Sequence, residues 1–175
     1  MPTTALKFAI PADAERIICR YRTCEFSTLA KNGTPITRPM GARWLADGRF
    51  LLTTSIGMPQ KAFHIRRDPK VSLLFSEPMG SGIARPGAVL VRGNAVCDDR
   101  IVSDSSSVPE LEDYLRENIF ARQPAGRMMS SLVGRLLAPS YYMRLLIYVT
   151  PVRMDYWPDR NFAAAPEKIE VDRVG

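Results

Sequence analysis

The residues with the clearest chemical potential are three consecutive hydroxyl side chains and a lysine that follows them. Thr53, Thr54 and Ser55 end a predicted strand, and Lys61 lies at the start of a short predicted helix. Together they offer hydroxyls, backbone N–H groups and a cation, which are the donors that a dianionic phosphate requires. The alternative is that the hydroxyls only cap the following turn and that Lys61 is solvated. We favour the phosphate site.

The other reactive side chains do not form a recognisable catalytic set. His64, the single histidine, lies one helical turn from Lys61, but a structural histidine is the simpler interpretation. Cys19, Cys24 and Cys97 form no CxxC pair, and with one histidine they do not match the spacing of a zinc site. The sequence has no Ser-His-Asp order, dinucleotide fingerprint or P-loop. We therefore name no catalytic residue and expect no metal.

Length and charge set the broad class of the protein. The chain has 175 residues, 46% of them hydrophobic, which predicts one substantial core and a single domain over residues 1–175. The 24 Lys and Arg residues against 18 Asp and Glu give a net charge of +6, which favours an anionic partner. An odd number of cysteines, no secretory leader and no apolar run of ~20 residues predict a cytoplasmic protein without a membrane span.

Two turn signals organise the first half of the chain. Residues 1–22 are predicted to contain an amphipathic helix. Asn32-Gly33 and Asp47-Gly48 then mark tight turns between strands at 24–30, 34–44 and 49–55. Three consecutive antiparallel strands would form a meander, and the apolar start of the third strand predicts burial on both of its faces.

The second half alternates strands with inserted helices. Pro69 ends a helix over 60–67, because it disfavours helical geometry in the residue before it. Gly93 is a candidate bulge in a strand over 89–97. The other predicted elements are strands at 71–76, 141–150 and 152–157, the last two split by Pro151, helices at 104–120 and 128–137, and a loosely held tail at 158–175. About six short strands in this pattern fit a small antiparallel barrel.

The stretch from Thr34 to Phe75 carries the most informative order of elements. It contains, in order, a strand, a turn, a second strand that ends with TTS, a loop, a helix that begins near Lys61, and a DP pair before an apolar strand. This order resembles that of the pyridoxamine phosphate oxidase-like split-barrel family. That family includes FMN enzymes and deazaflavin-dependent reductases. The resemblance covers Phe26 to Ser76 and, more weakly, Val149 to Trp157. It implies a mainly β (α+β) fold, a six-stranded antiparallel split β-barrel with peripheral helices, and a homodimer that binds cofactor between subunits.

The same resemblance implies the cofactor contacts. The position matching Lys61 binds the cofactor phosphate, and the strand matching residues 38–42 lies along the flavin ring, partly through backbone groups. Gln60 is the next contact, and Trp157 falls in a segment through which the partner subunit reaches the cofactor. The predicted cofactor-binding residues are therefore Arg38, Met40, Gly41, Ala42, Thr53, Thr54, Ser55, Gln60, Lys61 and Trp157.

Our leading hypothesis is an FMN-dependent oxidoreductase, because such an enzyme needs few acidic or basic side chains of its own. The alternative cofactor is the deazaflavin coenzyme F-420, whose poly-acidic tail would favour further cations, available at Arg43, Arg66, Arg67, Arg85 and Arg92. A non-catalytic barrel that binds a cofactor or nucleic acid is a further alternative, and nucleic acid is disfavoured because aromatic and basic residues are not interleaved. Haem binding would require His64 as ligand and ranks low. The sequence does not identify the substrate.

Overall fold

The computed structural model describes residues 7–8, 10–103, 108–115, 143–169 and 171–172. Its elements, in chain order, are β1 (Lys7–Phe8), α1 (Ala12–Arg20), β2 (Cys24–Leu29), β3 (Pro35–Met40), β4 (Arg43–Trp44), β5 (Phe50–Ser55), α2 (Gln60–Arg67), β6 (Lys70–Phe75), β7 (Ala88–Cys97), α3 (Pro109–Leu115), β8 (Arg144–Trp157), β9 (Glu167–Ile169) and β10 (Val171–Asp172). The predicted helix at 128–137 and the start of the predicted strand at 141 lie outside the described residues.

The main sheet closes on itself through one bent segment. Its strand order is β3-β2-β6-β7-β8-β5-β4, and all neighbouring pairs are antiparallel. The two end strands, β3 and β4, are separated only by Gly41 and Ala42. The sheet therefore curls into a split β-barrel of the α+β class, as predicted.

The prediction of a three-strand meander was wrong in one respect. The predicted strand over 34–44 is two strands, because β3 pairs with β2 whereas β4 pairs with β5. A continuous flat strand could not pair with both β2 and β5 in a closing barrel, so the chain bends between β3 and β4.

The turn glycines Gly33 and Gly48 have φ values of +82° and +81°, which glycine adopts without steric cost.

The barrel interior holds the main hydrophobic core. Alternate residues of each strand face inward, among them the fully buried Phe26 of β2 and Leu52 of β5. The predicted N-terminal helix is confirmed as α1, which contributes Ile17, and α2 contributes Ile65 from another side. Burial of each such side chain contributes about 1.5–3 kcal/mol to folding.

A second, smaller core lies on the outer face of β5 and β8, under α3. Leu111, Tyr114 and Leu115 of α3 pack there with Leu51 and Leu146. Strand β5 is therefore buried on both faces, as its apolar start predicts. Only the part of the predicted helix 104–120 that forms α3 falls within the described residues.

Strand β8 runs through a proline without ending. Pro151 was expected to separate two strands, but β8 is continuous over 14 residues. The register with β7 shifts between Arg92 and Gly93, so that Val152 is left as the extra residue of a bulge. The bulge accommodates the missing N–H of Pro151, and it confirms Gly93 as a bulge position.

The segment after β8 is more closely attached than the predicted loose tail. Strand β9 pairs with β8 along Met154 to Tyr156, and Ile169 is buried in the main core. Strand β10 pairs with β1. The apolar side chain of Ile169 explains the difference, because its burial anchors a segment that composition alone describes as polar.

Among the described residues, no helix has the length and apolarity to cross a membrane.

Candidate functional site

Strand geometry separates the three hydroxyl residues at the end of β5. Successive side chains of a strand point to opposite faces. Thr54 is therefore on the inner side with Leu52, whereas Thr53 and Ser55 are on the outer side. Both threonines are buried, with relative exposures of 6% for Thr53 and 2% for Thr54. Of the three, Ser55 is the partly exposed one.

The turn after β5 uses two of these hydroxyls. The Thr54 hydroxyl donates to the carbonyl of Met58 at 3.0 Å, and the Ser55 Oγ accepts from the N–H of Gly57 at 3.3 Å. The capping alternative considered for these residues is thus seen for Thr54 and Ser55. Because Ser55 acts here as an acceptor, its own hydroxyl hydrogen is left for a ligand.

Thr53 faces α3 and belongs to the support of the site. The hydroxyl of Tyr114 donates to the carbonyl of Gly41 at 3.1 Å and also interacts with Thr53. Burial raises the pKa of Tyr114, while hydrogen bonding with Thr53 opposes that rise. Nearby, Asp113 of α3 pairs with Arg43 of β4 at 3.1 Å. Helix α3 therefore fastens the bend between β3 and β4, where residues 38–42 were predicted to contact the flavin ring.

Lys61 lies within electrostatic range of two arginines, and we call the three side chains the cationic rim: Arg38, Lys61 and Arg144. Arg144 lies directly opposite Ser55 in the β5–β8 register. Arg38 Nη2 donates to Gln60 Oε1 at 3.0 Å, which brings β3 to the start of α2. Burial lowers the pKa of Lys61, and the charges of Arg38 and Arg144 lower it further. The charges of Arg38 and Arg144 are therefore both close enough to act on Lys61.

The rim is arranged to receive an anion. Within the described part of the chain, no carboxylate lies within salt-bridge distance of Lys61. A lysine whose pKa is lowered by burial and by like charges is stabilised when an anion arrives, since the anion offsets both effects. A phosphate fits this donor set, because it accepts several charge-assisted hydrogen bonds at once.

Sequence reasoning missed Arg144. Its position at the start of a strand carries no local signal, and its role follows from the antiparallel pairing that sets it opposite Ser55. That pairing joins segments far apart in the chain. Only the knowledge that β8 pairs with β5 in the sheet would have identified Arg144.

The predicted ring-contacting residues occupy the bend between the two end strands. Met40 and Ala42 are partly buried, and their side chains pack against the main core. Gly41 lies outside both ladders, and its carbonyl accepts from Tyr114. Contact of this segment with a planar ring would therefore rest on backbone groups and on the exposed edges of two partly buried side chains.

Trp157 lies at the other end of the barrel. Strand β8 is 14 residues long, so at about 3.3 Å per residue up to roughly 40 Å of strand separates Trp157 from Arg144. Its Nε1–H donates to the carbonyl of Ala164 at 3.1 Å. A single chain does not bring Trp157 to the cationic rim, so its predicted cofactor contact requires a second subunit.

His64 has a structural partner on β2. Its Nδ1 is 2.9 Å from the hydroxyl of the buried Thr28. Burial lowers the pKa of His64, and the charges of Arg67 and Arg38 lower it further. A neutral, partly buried histidine bonded to a core threonine matches the structural interpretation.

Most of the additional arginines have partners within the chain. Arg43 pairs with Asp113, Arg66 with Asp99 and Arg92 with Asp155, while Arg67 donates to the carbonyl of Leu29. The carboxylate of Asp155 is buried and is also held by Arg153. These arginines therefore stabilise the chain's own carboxylates and carbonyls instead of extending the cationic rim.

Comparisons with known proteins agree with this architecture. A family model described as pyridoxamine 5'-phosphate oxidase matches residues 10–141. No curated protein matches the chain.

Several solved structures share the fold. An F-420 reductase is 20% identical with a TM-score of 0.54, and the match covers 83% of this chain and 98% of that one. General Stress Protein 26 from Bacillus anthracis str. Sterne is 18% identical with a TM-score of 0.55, covering 90% and 95%. A heme binding protein from Mycobacterium smegmatis is 14% identical with a TM-score of 0.54, covering 91% of this chain and 58% of that one. At these identities the likeness concerns the fold alone.

Proposed function

Because this chain belongs to the pyridoxamine 5'-phosphate oxidase family, we propose that it is a flavin-dependent oxidoreductase that binds FMN at the cationic rim. The observation that carries the proposal is the grouping of Arg38 and Arg144 around Lys61, with Arg144 opposite Ser55 in the β5–β8 register. These groups come from β3, α2, β8 and β5, so the closure of the barrel is what assembles them.

The donor set suits the phosphate end of FMN. Lys61 and Arg144 would supply charge, and Ser55 would supply a hydroxyl hydrogen. Arg38 would approach from the strand that precedes the β3–β4 bend, and Gln60 would keep it there through their hydrogen bond. Charge-assisted hydrogen bonds contribute about 1.5–3 kcal/mol each, so a few of them suffice to hold a cofactor of this size.

The bound flavin would supply hydride or electron transfer, which is chemistry that protein side chains lack. The chain's part is to bind, orient and enclose. The Tyr114 hydrogen bond to Gly41 would fix the backbone beside the ring, and α3 would exclude water from the outer face of β5. We assign no proton transfer to a side chain, since His64 bonds to Thr28.

The environment of the arginines supports FMN over coenzyme F-420. The poly-acidic tail of F-420 would profit from cations beyond the rim. Arg43, Arg66 and Arg92 pair instead with carboxylates of this chain. The likeness to an F-420 reductase at 20% identity concerns the fold, so F-420 remains the alternative cofactor.

We further propose that the protein is a homodimer with the cofactor between subunits. The exposed outer face of β7 and β8 supports this, because it carries Val96, with 67% relative exposure, and Val152, with 47%. A contact between subunits on this face would remove both side chains from water. A dimer would also give Trp157 a route to the partner's cofactor.

Spectroscopy of the purified chain tests the proposal. We expect a flavin absorbance band after purification or after addition of FMN, with FMN binding more tightly than F-420. Tighter binding of F-420 would favour the alternative enzyme. Uptake of neither cofactor, together with salt-dependent binding of an oligonucleotide, would favour a non-catalytic binding module.

A further inference from the structure

Two hydrogen bonds join α2 to the β2–β3 hairpin on either side of Lys61. Arg38 of β3 donates to Gln60 Oε1 at 3.0 Å, and the Thr28 hydroxyl of β2 lies 2.9 Å from His64 Nδ1. Lys61 lies between Gln60 and His64 along the helix. Side chains three residues apart on a helix are neighbours. The one histidine of the chain is therefore held beside the lysine of the cationic rim.

The register of the hairpin brings Arg38 to the same place. Arg38 pairs with Phe26, which is two residues from Thr28 on β2. Directly opposed residues project from the same face of a sheet, and so do residues two apart on one strand. Arg38 and Thr28 thus lie on the same face of the hairpin, and each bonds to α2. From this position the charge of Arg38 acts on both Lys61 and His64.

Among the described residues, the charges that act on His64 are both positive. They belong to Arg67 of α2 and Arg38 of β3. Strand β2 contributes the neutral Thr28 hydroxyl, and β7, which also packs on α2, contributes apolar side chains such as Ala95 to the core there. Burial lowers the pKa of His64 and the two charges lower it further, so the ring is neutral at neutral pH.

A phosphate at the cationic rim changes this balance. Its negative charge offsets that of Arg38 and attracts a protonated imidazole one helical turn from Lys61. His64 then holds a proton more firmly when the phosphate is bound than when the rim is empty. Binding and protonation are linked, because each strengthens the other by the same factor.

The bond to Thr28 allows the ring to change its charge. A threonine hydroxyl both donates and accepts, and both nitrogens of a charged imidazole carry hydrogen. In the charged ring Nδ1 donates to Thr28 Oγ1, and Nε2 carries the second hydrogen. Helix α2 therefore stays bonded to β2 in either charge state.

We propose that His64 takes up one proton from solvent when the cofactor phosphate binds at the cationic rim, so that His64 makes cofactor binding tighter in mildly acidic solution. The inference rests on the proposed function, because the anion is the phosphate of FMN. His64 acts through its neighbours Arg38 and Lys61. It does not touch the reacting atoms and is not a catalytic residue.

Proton NMR measures this effect directly, because the chain contains one histidine. The imidazole Cε1–H resonance is titrated from about pH 8 to about pH 5, without FMN and with saturating FMN. We expect FMN to raise the pKa of His64 by about 0.5 or more, which corresponds to roughly threefold tighter binding of FMN to the protonated protein.

Arg67→Gln is the matched control for the NMR titration. Arg67 acts on His64 but donates to the Leu29 carbonyl and lies outside the cationic rim. The substitution should raise the pKa of His64 in the free protein. It should leave the additional rise caused by FMN as large as in the wild type.

Dissociation constants of FMN from the wild type and from His64→Gln, at about pH 7.5 and pH 5.5, give the second readout. Glutamine can bond to Thr28 but does not titrate. The two proteins should bind FMN within about twofold of each other at the higher pH. At the lower pH the wild type should gain about threefold or more relative to the variant. Titration of the FMN phosphate affects both proteins alike, so the ratio isolates His64.

Two results would overturn this proposal and leave the proposed function intact. One is FMN binding with an unchanged pKa of His64. The other is a ratio of the two dissociation constants that does not change with pH. Absence of FMN binding would instead overturn the proposed function, and this inference with it.

Discussion

Ser55 and Arg144 face each other across the β5–β8 pair. Opposed residues in an antiparallel pair have Cβ atoms ~4.5–5.5 Å apart and project from the same face. A hydroxyl and a guanidinium from distant parts of the chain are thereby set side by side, and Lys61 joins them from α2.

Arg144→Gln is expected to weaken FMN binding. The substitution removes one charge-assisted donor, which contributes about 1.5–3 kcal/mol and corresponds to an affinity loss of roughly tenfold or more. Fluorescence titration of FMN measures it. Lys70→Gln, at an exposed position on β6, is the control and should bind FMN like the wild type. Equal affinity in Arg144→Gln would remove Arg144 from the site.

Lys61→Met is expected to stabilise the protein without ligand. The folded state holds a half-buried ammonium whose pKa is lowered by burial and by two neighbouring cations, so its charge opposes folding. After allowance for solvent screening, we expect Tm to rise by roughly 1–2 °C. Added FMN should raise the Tm of the wild type more than that of the variant.

Calorimetry without ligand, with Lys70→Met as the exposed-site control, measures the first effect. A lower Tm in Lys61→Met than in the control would show that the Lys61 charge contributes stability instead of opposing it.

Tyr114→Phe is expected to lower both stability and FMN affinity. It removes the hydroxyl that donates to the Gly41 carbonyl, at a cost of about 1–2 kcal/mol in the free energy of unfolding. The loosened β3–β4 bend should then bind the flavin less tightly. Urea denaturation and FMN titration give the two values.

Tyr148→Phe is the matched control, because it keeps the aromatic ring over which Arg49 lies at 4.7 Å. If Tyr114→Phe matched this control in both measurements, α3 would have no part in fixing the bend.

His64 is expected to make stability fall in mildly acidic solution. Its pKa in the folded state is below the usual 6.5, chiefly because of burial. The unfolded chain therefore binds the proton first as pH drops below about 6.5, and stability is lost from there down to the folded pKa. Arg67 and Arg38 add to the effect through their charges, and protonation also changes the hydrogen bond to Thr28.

Urea midpoints at about pH 7.5 and pH 5.5 test this for the wild type and His64→Gln. The wild type should lose more stability over that interval than the variant. Parallel losses would assign the pH dependence to other groups.

Local patterns in the sequence were sufficient for most individual elements. The helix over 60–67 is confirmed with both ends, because Pro69 fixes where it stops. The Asn32-Gly33 and Asp47-Gly48 turns lie between the expected strands. Pro151 was wrongly predicted to separate two strands. A β-bulge accommodates a proline within a long strand, and no local sequence rule shows where a bulge forms.

The site was less predictable than the elements. The hydroxyls of Thr53, Thr54 and Ser55 were grouped because they are adjacent, although alternation along a strand sends neighbours to opposite faces. Arg144 was missed because its partnership with Ser55 depends on the long-range register of β5 and β8. Lys61 was named from its place after the three hydroxyl residues and Arg38 from resemblance, and the structure adds the electrostatic effect of Arg38 on Lys61.

The most direct test of FMN binding at Lys61 is the dissociation constant of FMN from Lys61→Ala, compared with that from the wild type and from Lys70→Ala. We expect weakening by about 1–3 kcal/mol for Lys61→Ala, with an unchanged far-ultraviolet circular dichroism spectrum and wild-type affinity in Lys70→Ala. An unchanged dissociation constant in correctly folded Lys61→Ala would contradict it, because the phosphate would then bind elsewhere.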